Sequence, residues 1–370
     1  MKIVYVTNIP SPYQIKWAEY VRKEHEVEFW FMTDISNSST GRPSYWNIDL
    51  PDYCRILPSK FKKGEFCYGP TLVKELNAFN PDVVMLGGAW YMISFFQAYR
   101  WAVKNNKKIL MGPVEFSGEL YRISKLLRNR AIFKILYKKI DIFLANAFLH
   151  YDYLTMALKV KNVRLFMNYD DYSPYMDHDL RPNSSNKITF MYGGSIDRRM
   201  RLPELLTTFE KLARKYNNIE LVIGGYGSEK EKCIDMVNSS NILKDVVEFH
   251  DVGSWNEIPN VYERCDVLIN FASFSPGAGV ILSAVASGMG VISTITVNAS
   301  RHFLIHGYNG FFVNDEYGLF DAIEKYILNK DLVRTHSEIN KEIGRKQLTF
   351  RSHLDEFNKI LESNLSHKTD

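Results

Sequence analysis

Short runs of residues that are apolar on both faces alternate along this chain with stretches whose apolar positions recur every three to four residues. The first half carries the runs Ile3–Thr7, Val27–Met32, Val83–Leu86, Ile109–Val114, Ile142–Ala145 and Val163–Phe166. The second half carries Ile188–Tyr192, Leu221–Gly224, Val246–Phe249, Val267–Asn270 and Val291–Ser293. Runs of this length suit parallel strands buried beneath helices, and the helical spacing between them supplies the covers. The strand–helix alternation occurs twice, so the pattern predicts an α/β chain with two Rossmann-like, doubly wound domains. Polar, aperiodic Asn168–Asn186, with two prolines, separates them. The expected division is 1–168, 169–345 and a terminal helical segment, 346–370. Open α/β sheets take ligands at the carboxyl ends of their strands, so two such domains facing each other would enclose a cleft.

Composition narrows the class. With 370 residues, 46% of them hydrophobic and 14% aromatic, the chain can bury substantial cores and is expected to fold rather than stay disordered. Cys54, Cys67, Cys233 and Cys265 are dispersed with no CxxC pair, which argues for a reducing compartment and against structural zinc. Met1-Lys2 runs directly into a strand-like segment, and no apolar stretch reaches the roughly 18 residues of a membrane span, so a cytoplasmic protein is expected. The net charge of +4 is uneven: residues 1–168 carry +10 and the remainder −6. A basic first half suits an anionic surface or substrate. The basic residues lack interleaved recognition motifs, which sets nucleic acid aside.

Loops that follow strands hold the candidate chemistry. The first, Thr7 to Gln14, is stiffened by two prolines and offers hydroxyls and amides to a polyol, with Asn8, Ser11 and Tyr13 as candidates. The dinucleotide fingerprint GxGxxG is absent there, so a dehydrogenase is a poor fit. The second, Tyr192 to Arg201, joins paired glycines, Gly193 and Gly194, to Arg198, Arg199 and Arg201, whose planar forks suit phosphate. The third is Gly224-Gly225-Tyr226-Gly227, a glycine-rich strand exit. His250 ends the run Val246 to His250. Residues 275–294, SPGAGVILSAVASGMGVIST, place a glycine-loosened loop before an apolar helix, and the free N–H groups of such a start bind anions.

This last segment resembles, without a gap, the donor-sugar motif of retaining nucleotide-sugar glycosyltransferases of family 4. Its two marker glutamates stand here as Ser275 and Ser283. TNIPSPYQ resembles the opening of the same proteins, GGYGSE their GDGPE turn, and His306 to Phe311 their G-x-N-G turn. Residues 5–14, 188–195 and 268–313 carry the likeness most strongly. The resemblance implies the GT-B architecture, two Rossmann-like domains across a cleft, with the final helix crossing back to the first domain. It implies donor contacts at Gly194, Ser195, Arg198, Arg201, Gly225, Tyr226, His250, Ser275, Gly277, Ala278, Gly279, Val280 and Ser283, and an acceptor side at Asn8, Ser11 and Tyr13. The family's diphosphate-binding Arg and Lys stand here as Ser195 and Met200; Arg198, Arg199 or Arg201 could restore the charge, and the sequence leaves the choice open.

The implied function is a retaining, metal-independent transfer of a sugar from a nucleoside diphosphate, UDP or GDP, to a polysaccharide or lipid-linked acceptor. No cofactor and no metal are expected. Glu115 and Arg199 are the candidate catalytic groups. The alternative is an inactive GT-B scaffold kept as a binding subunit, because four donor positions, Ser195, Met200, Ser275 and Ser283, depart from the motif. One feature stands apart from the family. Residues 120–140 hold seven Lys or Arg and no acid, with Leu120, Ile123, Leu127, Ile132, Leu136 and Ile140 at roughly helical spacing. Such a segment suits an anionic membrane surface as well as a solvated helix.

Overall fold

The computed structural model describes residues 1–34, 49–63, 66–88, 92–114, 123–167, 170–176, 187–251, 255–275, 277 and 279–363. The chain divides into two compact units. Residues 1–171 and 353–370 form the first, and residues 172–352 form the second.

The first unit is built on strands β1 (Lys2–Thr7), β2 (Glu26–Phe31), β3 (Cys54–Ile56), a hairpin of β4 (Lys60–Lys63) and β5 (Phe66–Tyr68), and then β6 (Val83–Leu86), β7 (Lys108–Val114), β8 (Ile142–Ala145) and β9 (Val163–Leu165). Seven of these make a parallel sheet in the order β3-β2-β1-β6-β7-β8-β9. All four residues of β6 and of β8 are buried, as strands covered on both faces must be. Val4, Val6, Val84, Leu86, Ile109 and Phe143 point into one core with Trp30 and Phe95. Each such side chain removed from water contributes roughly 1.5–3 kcal/mol. The last helix, Phe350–Glu362, packs Phe357 against the rings of Trp17 and Phe166, at 6.0 and 5.8 Å between centroids.

The second unit holds β10 (Ile188–Ser195), β11 (Ile219–Tyr226), β12 (Val247–His250), β13 (Val267–Asn270), β14 (Gly290–Ser293) and the two-residue β15 (Phe311–Phe312). They form one parallel sheet ordered β12-β11-β10-β13-β14-β15. In both sheets the order therefore runs outward in one direction from the first strand and then reverses. The crevice at that reversal is where doubly wound sheets receive ligands. The covering helices start where local chemistry dictates. Pro203 opens Leu202–Ala213, whose Leu205, Leu206, Phe209 and Leu212 are buried. Asp315 caps Glu316–Leu328 by accepting from the Gly318 N–H at 2.8 Å.

Two strand ends differ from the sequence expectation. β10 runs three residues past Tyr192, and β11 two past Gly224, so the paired glycines lie in the ladder rather than in loops. Gly194 faces Gly225, and Ser195 faces Tyr226. A Cβ on Gly225 would lie 2.0 Å from the Gly194 carbonyl oxygen, so only glycine lets the strands approach this closely. The basic helix also differs. It spans Ile123–Ile135, and Asn129 and Phe133 are its buried residues, while Ile123 and Leu127 are 74% and 60% exposed. Among the described residues no helix is long and apolar enough to cross a membrane.

Candidate functional site

In the second unit the reversal lies between β10 and β13. The turn after β10 is held from below: the Tyr192 hydroxyl donates to the Ser195 carbonyl at 2.6 Å, and the Ile196 N–H donates to the Tyr226 carbonyl at 2.7 Å. Burial keeps the Tyr192 phenol well above its usual range, so it stays a donor. Asp197 then caps a single 3-10 turn, Arg198–Met200, through the Arg199 N–H at 3.1 Å.

Arg199 bridges the two sides of the crevice. Its Nε donates to Asp197 at 3.2 Å, one Nη to the Ser195 hydroxyl at 3.3 Å, and the other Nη to the Phe274 carbonyl at 3.4 Å. Its own carbonyl accepts from the N–H and hydroxyl of Ser273, at 2.7 and 3.0 Å. Of the three arginines in this turn, Arg199 is the one whose guanidinium lies beside the position 195 side chain. Arg201 is engaged elsewhere. It has a left-handed backbone, pairs with Glu316, lies 3.7 Å from Glu204 and stacks 4.0 Å over the Phe271 ring. Arg198 is exposed and forms no ion pair among the described residues. Met200 is buried, at 4% exposure.

The helix Gly279–Ala286 starts beside this turn. Val280 lies 3.3 Å from where side chains at Gly193 or Gly194 would begin, and the space at Gly277 and Gly279 is open. Ser275 is half-buried and fixed by its backbone, which accepts from the Asn298 N–H at 3.1 Å and bridges Val297. Ser283 turns inward: it is 6% exposed, and its hydroxyl bonds Tyr262. Tyr262 also lies 3.4 Å from where a Gly193 side chain would begin. Its phenol is pushed well above the usual range by burial and by Tyr175.

His250 ends β12 opposite Gly224. Its Nδ1 lies 3.1 Å from Glu248, whose carboxylate is held below its ordinary value chiefly by Arg264 at 2.7 Å. Gly194, Ser195, Arg199, Gly225, Tyr226, Gly279 and Val280 therefore gather at one edge, with Gly277 and Ser275 leading into the helix. Ala278 and Glu115 lie outside the described residues. Sequence reasoning passed over Tyr262, whose partners are tertiary. It also passed over Asp177-His178-Asp179, the chain's Asp-x-Asp triplet, which likewise lies outside the described residues.

In the first unit the corresponding reversal lies between β1 and β6. The Asn8 carbonyl accepts from the Met32 and Thr33 N–H groups, both at 2.9 Å, and its side chain lies 3.0 Å from where a Gly88 side chain would begin. Ser11 starts the helix Pro12–Val21 with its backbone carbonyl, while its hydroxyl, like Gln14 Oε1, is buried with no hydrogen-bond partner among the described residues. Tyr5 bonds Thr7 and Gln14, and half-buried Tyr13 lies close by. The edge offers hydroxyls and amides suited to a polyol.

Residues 178–344 match the family of glycosyl transferases group 1. No curated protein sequence matches the chain. Several solved structures share its fold. A glycosyltransferase of Rickettsia africae has a TM-score of 0.75 at 14% identity, covering 99% of each chain. Alr3699/HepE of Anabaena, in complex with UDP, has 0.74 at 13%, covering 98% of this chain and 100% of its own. Sucrose-phosphate synthase of Thermosynechococcus elongatus has 0.73 at 13%, covering 99% and 100%.

Proposed function

We infer that this protein is a glycosyltransferase: residues 178–344 match the family of glycosyl transferases group 1, and its two parallel-sheet units have the fold of GT-B enzymes. Its donor is a nucleoside diphosphate sugar held at the reversal of the second sheet. The single observation that carries this reading is the Arg199 guanidinium, reaching Ser195 on one side of the crevice and Phe274 on the other. A diphosphate there meets a planar cationic fork and the N–H groups that open the Gly279 helix. Charge that develops on the leaving diphosphate is stabilised by fixed donors. This supports a metal-independent transfer. Transfer proceeds by acceptor attack on the face from which the diphosphate leaves, which retains configuration without a protein nucleophile.

His250 and Tyr226 flank the position of the base, and Ser275 and Gly277 that of the sugar. Asn8, Ser11 and Tyr13 serve the acceptor, a polysaccharide or a lipid-linked glycan. Assays of transfer and donor hydrolysis over a panel of UDP- and GDP-sugars test the reading. Turnover of at least one donor, abolished by Arg199→Ala, is expected; inertness toward every donor refutes it.

A second reading rests on Ser283, whose hydroxyl is spent on Tyr262 rather than presented to a ligand. In that case the scaffold binds a nucleotide and transfers nothing. Nucleotide binding with no turnover of any donor selects it.

A further inference from the structure

The helix Ile123–Ile135 exposes more apolar surface than a solvated helix needs. Ile123, Leu127 and Ile135 are 74%, 60% and 66% exposed, and Leu136, just past the helix end, is 43% exposed. At 3.6 residues per turn, Ile123, Leu127 and Ala131 fall on the side turned away from buried Asn129 and Phe133. Asn129 anchors the opposite side through a 3.3 Å bond to the Tyr153 hydroxyl. Lys125, Arg128, Arg130, Lys134, Lys138 and Lys139 surround the apolar strip, and no acid occurs between 123 and 140. None of the six pairs with a carboxylate among the described residues.

Charge selects the occupant. A second copy of this helix would bring cations against cations. A polyanion such as RNA would satisfy the charge and leave these four aliphatic side chains in water. A bilayer with anionic headgroups satisfies both: the aliphatic groups enter the acyl boundary, and the long basic stems reach back to phosphate. We propose that the exposed face of Ile123–Ile135 docks the protein on an anionic lipid bilayer. The docking is independent of the nucleotide site in the second unit.

The test is cosedimentation of the full chain with phosphatidylcholine vesicles, with and without phosphatidylglycerol. Binding is expected only with phosphatidylglycerol, and it weakens with added salt. Arg130→Gln, Lys134→Gln and Lys138→Gln together lower it about 100-fold, at about fivefold per charge. Leu127→Gln with Ile135→Gln lowers it at constant charge. All five positions are exposed, so melting temperature and UDP affinity stay at wild-type values in both variants. Equal sedimentation with neutral vesicles, or undiminished binding by both variants, overturns the proposal. So does absence of vesicle binding together with self-association that the Leu127→Gln/Ile135→Gln pair abolishes, which identifies a second copy as the occupant. Loss of UDP binding by the wild type bears on the nucleotide site alone.

Discussion

Replacing Arg199 with alanine separates ligand binding from folding. The side chain is 43% exposed, and its ion pair with Asp197, at 3.2 Å, is a surface pair. Such pairs contribute about 0–1 kcal/mol, so the variant should fold and melt close to wild type. A bound diphosphate loses one or two charge-assisted hydrogen bonds. Each is worth about 1.5–3 kcal/mol, and one alone is about a 10- to 150-fold rise in Kd. Arg199→Lys should recover only part of the affinity, because an ammonium keeps the charge and loses the fork. Arg201→Ala is the contrast. Its guanidinium serves Glu316, Glu204 and the Phe271 ring, so its loss should lower the melting temperature and leave Kd unchanged. Calorimetric titration with UDP and GDP, paired with thermal melts, reads both quantities. Wild-type affinity in Arg199→Ala combined with lost affinity in Arg201→Ala refutes the assignment.

Three further substitutions probe the scaffold. Gly225→Ala places a methyl group 2.0 Å from the Gly194 carbonyl oxygen and should cost about 1–3 kcal/mol in urea unfolding; unchanged stability denies the close strand approach. Phe357→Ala opens a hole beneath Trp17 and Phe166 and should destabilise the first unit by about 3–5 kcal/mol, read by denaturant unfolding, whereas a loss near zero removes the final helix from that core. Burial holds the His353 imidazole down to about 4, and its Nδ1 has no partner among the described residues. The unfolded chain takes up that proton near pH 6.5 and the folded chain only near 4. Stability is therefore full above pH 6.5 and falls, on the order of 3 kcal/mol, as pH drops toward 4. His353→Leu should make the pH dependence of unfolding free energy shallower across that window, the buried His302 and His336 keeping part of it, and an unaltered slope contradicts the buried neutral histidine.

The parallel strands were legible because their signal is local. Val267–Asn270 is buried throughout, and a strand covered on both faces reads as an unbroken apolar run. β3 was not legible, since an edge strand of three residues with an exposed end carries no such run. The length of β10 was hidden because glycine signals a turn, while here facing glycines let two strands continue together. Helical spacing marked the basic segment but could not reveal which side meets the core; Asn129 and Phe133 decide that through partners on other elements. The different surroundings of the three arginines are equally tertiary. Arg201 looked as available as Arg199 until Glu316, more than a hundred residues away, claimed it. Tyr262 gave no signal, because its ties to Ser283 and to the space beside Gly193 exist only in the fold.

The central claim is that a diphosphate sits where Arg199 meets the start of the Gly279 helix. Diffraction from crystals soaked in UDP measures this most directly. Phosphate density is expected against the Arg199 guanidinium and the Gly279 N–H, with Ser195 alongside. A vacant crevice at saturating UDP, or nucleotide ordered at another edge of the sheet, would contradict it.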